Sequence, residues 1–166
     1  MPDQAARDLA VPDLYEADFV LWSERQAALL RRLQAGDPVG DQLDWDNLVE
    51  EVESLGSSAR LATESLLARG LEHLLKIRGW PNGPVDHWAA EANTFLRDAG
   101  RAWAPSMARA IDAATLYREE LEKIGLRKID GTPPQPLPAA CPVTLAELIF
   151  PRGVPCDVPA LLAKLA

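Results

Sequence analysis

One run of apolar positions holds a single helical phase across more of this chain than any other pattern. Leu48, Val52, Leu55, Ala59, Ala62, Leu66, Gly70, His73 and Ile77 recur at spacings of three and four, the mark of one side of an α-helix. The phase passes through Gly56 without resetting. An interior glycine costs about 1 kcal/mol relative to alanine, which a packed helix absorbs. The spacing predicts one helix over 45–78, opened by Asp44, with room for a bend at Gly56-Ser57-Ser58. The rival reading is two helices, with Gly56 closing the first and a serine capping the second. Leu67, Leu71, Leu74 and Leu75 widen the apolar arc in the second half, which should lie deeper in the core.

The flanking segments are also helical in period. Tyr15, Phe19, Trp22, Gln26, Leu29, Leu30 and Leu33 share a face, which predicts a helix from Asp13 or Leu14 to Gln34. Asp13 would be its N-cap and Glu16 would complete a capping box. Ala35-Gly36-Asp37-Pro38 ends it. Gly79-Trp80-Pro81-Asn82-Gly83-Pro84 is a second strong break. A third helix is expected over 86–102, with Trp88, Ala92, Phe95, Leu96 and Ala99 inward. A fourth should start at Pro105 and reach Ile124, burying Met107, Ala108, Ile111, Ala114, Tyr117 (or Leu116), Leu121 and Ile124.

Eight of the 14 prolines lie between 130 and 166, and Thr132-Pro133-Pro134-Gln135-Pro136-Leu137-Pro138 should be extended, close to polyproline II. Thr144 can cap a short helix there, and Asp157, with Pro159 just inside, a last one. No strand is expected. The predicted fold class is all-α: an antiparallel bundle of about four helices with a Pro-rich C-terminal segment and short terminal helices. Residues 1–12 read as a flexible arm, 13–125 as the bundle and 126–166 as a wrapping segment of the same domain.

Charge narrows the function. With 17 Lys+Arg against 25 Asp+Glu the net charge is −8, and the whole-chain field would repel nucleic acid. No apolar run approaches the ~20 residues that span a bilayer. MPDQAARDLAVP at the start lacks the basic and apolar regions of a secretory signal, so a cytoplasmic location is expected. The two cysteines, Cys141 and Cys156, form no CxxC pair and read as reduced thiols, a disulfide between them being the minority alternative.

Three segments together resemble the domain of unknown function 29 family, found mainly in cyanobacteria and other bacteria. They are Tyr15-Glu16-Ala17-Asp18-Phe19 through Trp22, then Leu43-Asp44-Trp45-Asp46-Asn47-Leu48-Val49-Glu50-Glu51-Val52-Glu53-Ser54-Leu55-Gly56, then Leu71-Glu72-His73-Leu74-Leu75-Lys76. Cys141-Pro142-Val143-Thr144-Leu145 is similar to the family's closing motif. The likeness covers residues 15–149. The linker over 81–84 departs from it, being richer in Pro and Gly. The resemblance implies a helical domain without an assigned activity.

The candidate polar site comprises Asp18, Trp22, Asp44, Glu51 and His73. On a helix that turns by about 100° per residue, with Leu48 as zero, Asp44 falls at about −40° and Glu51 at about −60°. Glu50 falls at about 200° and Glu53 at about 140°. The acidic stretch therefore splays around the axis and reads as helix-dipole stabilisation rather than a metal cage. His73, at about −20° on the same wheel, sits in the apolar stripe, where a buried imidazole must find a hydrogen-bond partner. Glu-x-x-His is absent because position 70 is Gly. His87 has no partner motif. Glu51 and His73 are about 33 Å apart on a straight helix, so a shared site needs a reversal at Gly56. Asp18 is a candidate acceptor for an indole N–H such as that of Trp45. Five tryptophans, at 22, 45, 80, 88 and 103, suit core or interface anchors.

No nucleophile motif, Walker loop or GxGxxG occurs, and no metal or other cofactor is implied. The expected function is a non-enzymatic cytoplasmic interaction protein that binds a protein partner or forms a homo-oligomer. The alternative is a metal- or small-ligand-dependent enzyme with its site around His73 and nearby carboxylates.

Overall fold

The computed structural model describes residues 11–165, and the expected arm over 1–12 falls mostly outside them. Among the described residues seven α-helices follow in order: α1 Val11–Ala17, α2 Phe19–Gln34, α3 Trp45–Gly79, α4 Val85–Ala102, α5 Ala113–Gly125, α6 Leu145–Leu148 and α7 Val158–Lys164. Short 3-10 turns cover Gly40–Gln42 and Pro105–Arg109. Among the described residues there is no strand, only one isolated bridge between Ile129 and Thr132. The class is all-α.

The chain divides into two compact units, Met1–Ser57 and Ser58–Ala166. In the first, α1 and α2 are separate helices where one was expected. Asp18 leaves helical geometry at φ −154° and ψ 86°, and its carboxylate accepts from the Leu21 N–H. The break follows from local chemistry: Asp caps a helix start better than it continues one. Asp13 is not the N-cap, because α1 begins at Val11. Leu29, Val39 and Leu43 form a small core with Leu48 against it, and Leu14 and Trp22 are buried as well. Phe19, Leu30 and Leu33, expected inside, are exposed.

The long phase corresponds to a single helix. α3 is continuous through Gly56 over 35 residues. Its burial, however, is not uniform along the stripe. Val52 and Leu55 are 67% and 70% exposed, and Ala59 and Ala62 are exposed too, whereas Gly70 to Leu75 are buried without exception. The apolar flank is therefore shielded chiefly toward the carboxy-terminal end of the helix.

The second unit is organised by that buried third of α3. Leu67, Leu71, Leu74 and Leu75 join Ala92, Leu96 and Ala99 of α4, and Tyr117 and Ile124 of α5. The fourth predicted helix is interrupted. Pro105–Arg109 is a 3-10 turn, and Asp112 caps a fresh start by accepting from Ala114 and Thr115 N–H groups. The restart resets the phase, so Ala113 is buried while Ala108 and Ala114 are exposed.

The Pro-rich stretch supplies Val143, Leu148, Val158, Leu161 and Leu165 to the same core. It is tied down by backbone acceptors. Trp80 Nε1 donates to Thr132 O at 2.8 Å, Gln135 N to Gly79 O at 2.8 Å, and the Tyr117 hydroxyl to Pro138 O at 2.7 Å. Thr144 and Glu147 form the capping box of α6, and Asp157 caps α7 through Ala160 N. Both cysteines are free thiols.

Two glycines separate continuity from close packing. A Cβ at Gly56 meets nothing within 4 Å, whereas one at Gly100 would lie 2.0 Å from the Phe150 carbonyl oxygen. Urea unfolding should show Gly56→Ala stabilising by about 0.5–1 kcal/mol. Gly100→Ala should destabilise by about 1–3 kcal/mol, because backbone rather than a flexible side chain has to move.

Candidate functional site

Four of the five candidate polar residues lie in the first unit. Trp22 Nε1 donates to Asp44 Oδ2 at 3.0 Å, and Asn47 Nδ2 donates to the same oxygen at 2.8 Å. Gln26 Oε1 accepts from the Asp44 N–H at 3.0 Å. Asp44, placed just before α3, is thus the knot that ties α2 to the start of the long helix. Gln26 Nε2 is buried without a partner among the described residues, which costs about 1–3 kcal/mol for a group of this type. The Tyr15 hydroxyl donates to Glu51 Oε1 at 2.6 Å. That hydrogen bond, followed by desolvation and the charges of Glu51, Glu50 and Glu16, pushes the Tyr15 pKa up to about 12. Tyr15, Phe19 and Trp22 make edge-on and stacked contacts with centroids 4.8–5.7 Å apart.

Asp18 does not take an indole. It caps α2, while the Trp45 indole donates to Gly40 O at 2.8 Å. Trp22 and Asp44 are brought together; Asp18 and Glu51 each serve another partner.

His73 belongs to the second unit. Its Nδ1 lies 2.8 Å from Arg69 O, and since a carbonyl only accepts, Nδ1 carries the hydrogen. Its Nε2 faces Glu91 Oε2 at 2.7 Å, and His87 Nε2 approaches the same oxygen at 3.4 Å. The Phe95 ring lies beside the imidazole, with centroids 5.5 Å apart. Among the described residues no group of three or more His, Cys, Asp or Glu side chains is arranged to hold a metal ion.

A buried charge network lies outside the sequence-based candidates. Glu72, nearly buried, accepts from Arg69 at 3.0 Å, Lys76 at 2.9 Å and Arg127 at 2.7 Å. Burial alone would raise its pKa, but the hydrogen bonds from Lys76 and Arg69 and the nearby cationic charges outweigh it, lowering the group from an ordinary 4.5 to about 2. The helical spacing of Arg69, Glu72 and Lys76 is a readable signal for two of these pairs. Arg127, 55 positions away, gives none. Gln26 also carries a signal, being a polar residue inside an apolar stripe. Placing Tyr15 on an apolar face leaves out its hydroxyl. The four-residue spacing from His87 is a signal for Glu91, but nothing in the spacing points from Glu91 to His73.

These arrangements define an all-helical domain whose polar side chains serve caps, indole anchors and ion pairs. The chain belongs to the family described as Domain of unknown function DUF29, whose model matches residues 14–152. It is similar to the crystal structure of an alpha-helical protein of unknown function from Rhodospirillum rubrum. The two share 25% identity with a TM-score of 0.67, over 92% of this chain and 97% of that one. No curated protein matches. Among the described residues no helix is long and apolar enough to cross a membrane.

Two substitutions test these networks. Asp44→Ala strands the Trp22 indole N–H in a buried position and should cost about 1–3 kcal/mol in chemical denaturation. Glu72→Gln should cost about 3 kcal/mol at neutral pH. The folded pKa of Glu72 is depressed, so its stabilisation is present above the ordinary 4.5 and lost as pH falls through about 2. The gap between wild type and Glu72→Gln should accordingly shrink across that window.

Proposed function

We propose that this chain is a non-enzymatic interaction protein that docks a partner protein on the amino-terminal half of α3. One observation carries the proposal: Trp45, Val49, Val52 and Leu55 are 50%, 55%, 67% and 70% exposed. At about 100° per residue these four fall within an arc of about 120°, so they make one stripe rather than scattered apolar positions. Stripes of this kind mark interaction surfaces. Phe19 and Val20, also exposed, add apolar surface in the same unit.

Charge selects the occupant. Asp46, Glu50 and Glu53 are exposed and fall at about 140–200° on the same helix, along one edge of the stripe. A second copy would set those carboxylates and a net charge of −8 against themselves. The complementary partner is an amphipathic helical segment whose apolar face is flanked by Lys and Arg. Two free thiols fit the reducing cytoplasm in which we place the protein.

The enzyme alternative around His73 has one observation in its favour, the His73–Glu91–His87 chain of side chains. Both ring nitrogens of His73 are nevertheless already engaged.

Titration with a synthetic Leu/Lys amphipathic peptide, followed by the part of the tryptophan fluorescence that Trp45→Phe removes, tests the docking face. A saturable blue shift is expected. Val52→Lys with Leu55→Lys should weaken it at least about tenfold, and a Leu/Glu peptide should not produce it. Indifference to peptide charge, no saturable change, or light scattering that shows a dimer broken by the double variant would overturn the assignment.

A further inference from the structure

Against the acidic background of this chain, one cleft of the second unit is lined by cations alone among its ionisable groups. Arg97 and Arg101 lie four residues apart on α4 and so share a face. They border a cleft of about 230 Å³ with Arg152, Phe150 and Val154. Arg152 sits in the turn after α6, closed by a hydrogen bond from Val154 N to Pro151 O at 2.9 Å, with Gly153 at φ +89°. The turn is pressed onto α4 at Gly100, where the Phe150 carbonyl occupies the space that any side chain would need. The turn that carries Arg152 is therefore held against α4 by packing, and Arg152 lines the same cleft as the α4 pair.

The charges in this cleft are under-compensated. Arg101 pairs with Asp98 at 2.9 Å, both of them partly exposed. Among the described residues neither Arg97 nor Arg152 makes an ion pair. Asp157, a few residues on, is committed to the α7 cap. Burial pushes the nearby Cys156 thiol up to about 11 against the opposing charge of Arg97, so it does not serve as the missing anion. The larger cleft of the same unit, about 500 Å³, is different in kind. Its lining sets Glu64, Glu72, Glu119 and Glu120 against Arg69, Lys123 and Arg127, and those three cations are already paired with Glu72 or Glu120.

We infer that the Arg97–Arg101–Arg152 cleft is a binding site for a dianionic phosphoryl group. Planar guanidinium forks match phosphate oxygens in bidentate geometry, and a multiply charged oxyanion would relieve the repulsion among three arginines. The volume lies below the ~300–1,000 Å³ of sites for drug-sized ligands, which selects inorganic phosphate or a small phosphomonoester. Phe150 and Val154 offer an apolar edge for a short substituent.

The full chain, at low ionic strength, would be titrated with inorganic phosphate and with phenyl phosphate while backbone amide NMR shifts are followed. Saturable shifts confined to residues 97–101 and 150–154 are expected from at least one of them. Tighter binding of phenyl phosphate identifies a monoester as the ligand, and equal binding identifies free phosphate. Arg97→Gln and Arg152→Gln, both at exposed positions, should each weaken binding about tenfold and leave the circular dichroism melt in place. Arg109→Gln, outside the cleft, should change nothing. Equal shifts from chloride at matched ionic strength, shifts insensitive to both cleft substitutions, or binding of single-stranded oligonucleotide with none of either phosphate would overturn the inference.

Discussion

Residues 70 to 75 of α3 are buried on every side, and the second unit is built around that fact. A helix enclosed all round has no solvent face on which to put its polar residues. Any ionisable group on this segment must find a partner within the protein or go unpaired at a cost of several kcal/mol. Glu72 and His73 occupy adjacent positions here and point in different directions, so each requires its own set of partners. Glu72 gathers Arg69, Lys76 and Arg127. His73 is held between the Arg69 carbonyl and Glu91. Arg69 takes part in both arrangements, through its side chain in one and its backbone in the other.

The first unit meets the same demand with smaller means. Its core is slight, and much of its definition comes from Asp44, which accepts an indole and an amide side chain on one oxygen while its own N–H is taken by Gln26. Charge-assisted bonds of this kind are directional as well as stronger than neutral ones. They can fix the approach of two helices that share few apolar contacts. The consequence for function is that Asp44 and Trp22 are already engaged in the architecture, as are Asp18 in a cap and Glu51 with Tyr15. What this unit presents to solvent includes an apolar stripe, and the proposed docking face rests on that stripe.

Periodicity made the long helix legible, including its passage through Gly56, because 3.6-residue phase is a property of the chain itself. The same phase could not say where burial stops. Leu55 and Ile77 occupy the same stripe, yet one is 70% exposed and the other 7%. That difference depends on which segments lie alongside, and neighbours are not encoded in spacing. Interruptions were harder to read than continuities. Asp18 and Asp112 both sit within apparently unbroken apolar patterns and both restart a helix, since a carboxylate satisfying one or more backbone N–H groups competes well with one more turn. Of the candidate site, the positions were visible and the partners were not. Glu91 is distant in sequence from His73 and Arg127 from Glu72, and Tyr15 reads as one more apolar position until its hydroxyl is seen against Glu51. Such pairings arise only from the fold.

Net charge conceals how differently the two functional proposals use electrostatics. A total of −8 argues against contact with a polyanion, because a polyanion experiences the field of the whole chain over many ångströms. A single phosphoryl group within a cleft is governed instead by the charges a few ångströms away, and at physiological ionic strength the Debye length of about 8 Å screens the remainder. On the proposed reading, the net negative charge disfavours long anions while leaving a small one to Arg97, Arg101 and Arg152. The carboxylates at the start of α3 work the other way, favouring a basic segment that brings its own apolar face. An acidic chain can therefore hold a small anion in one unit and a basic partner in the other without the two demands conflicting.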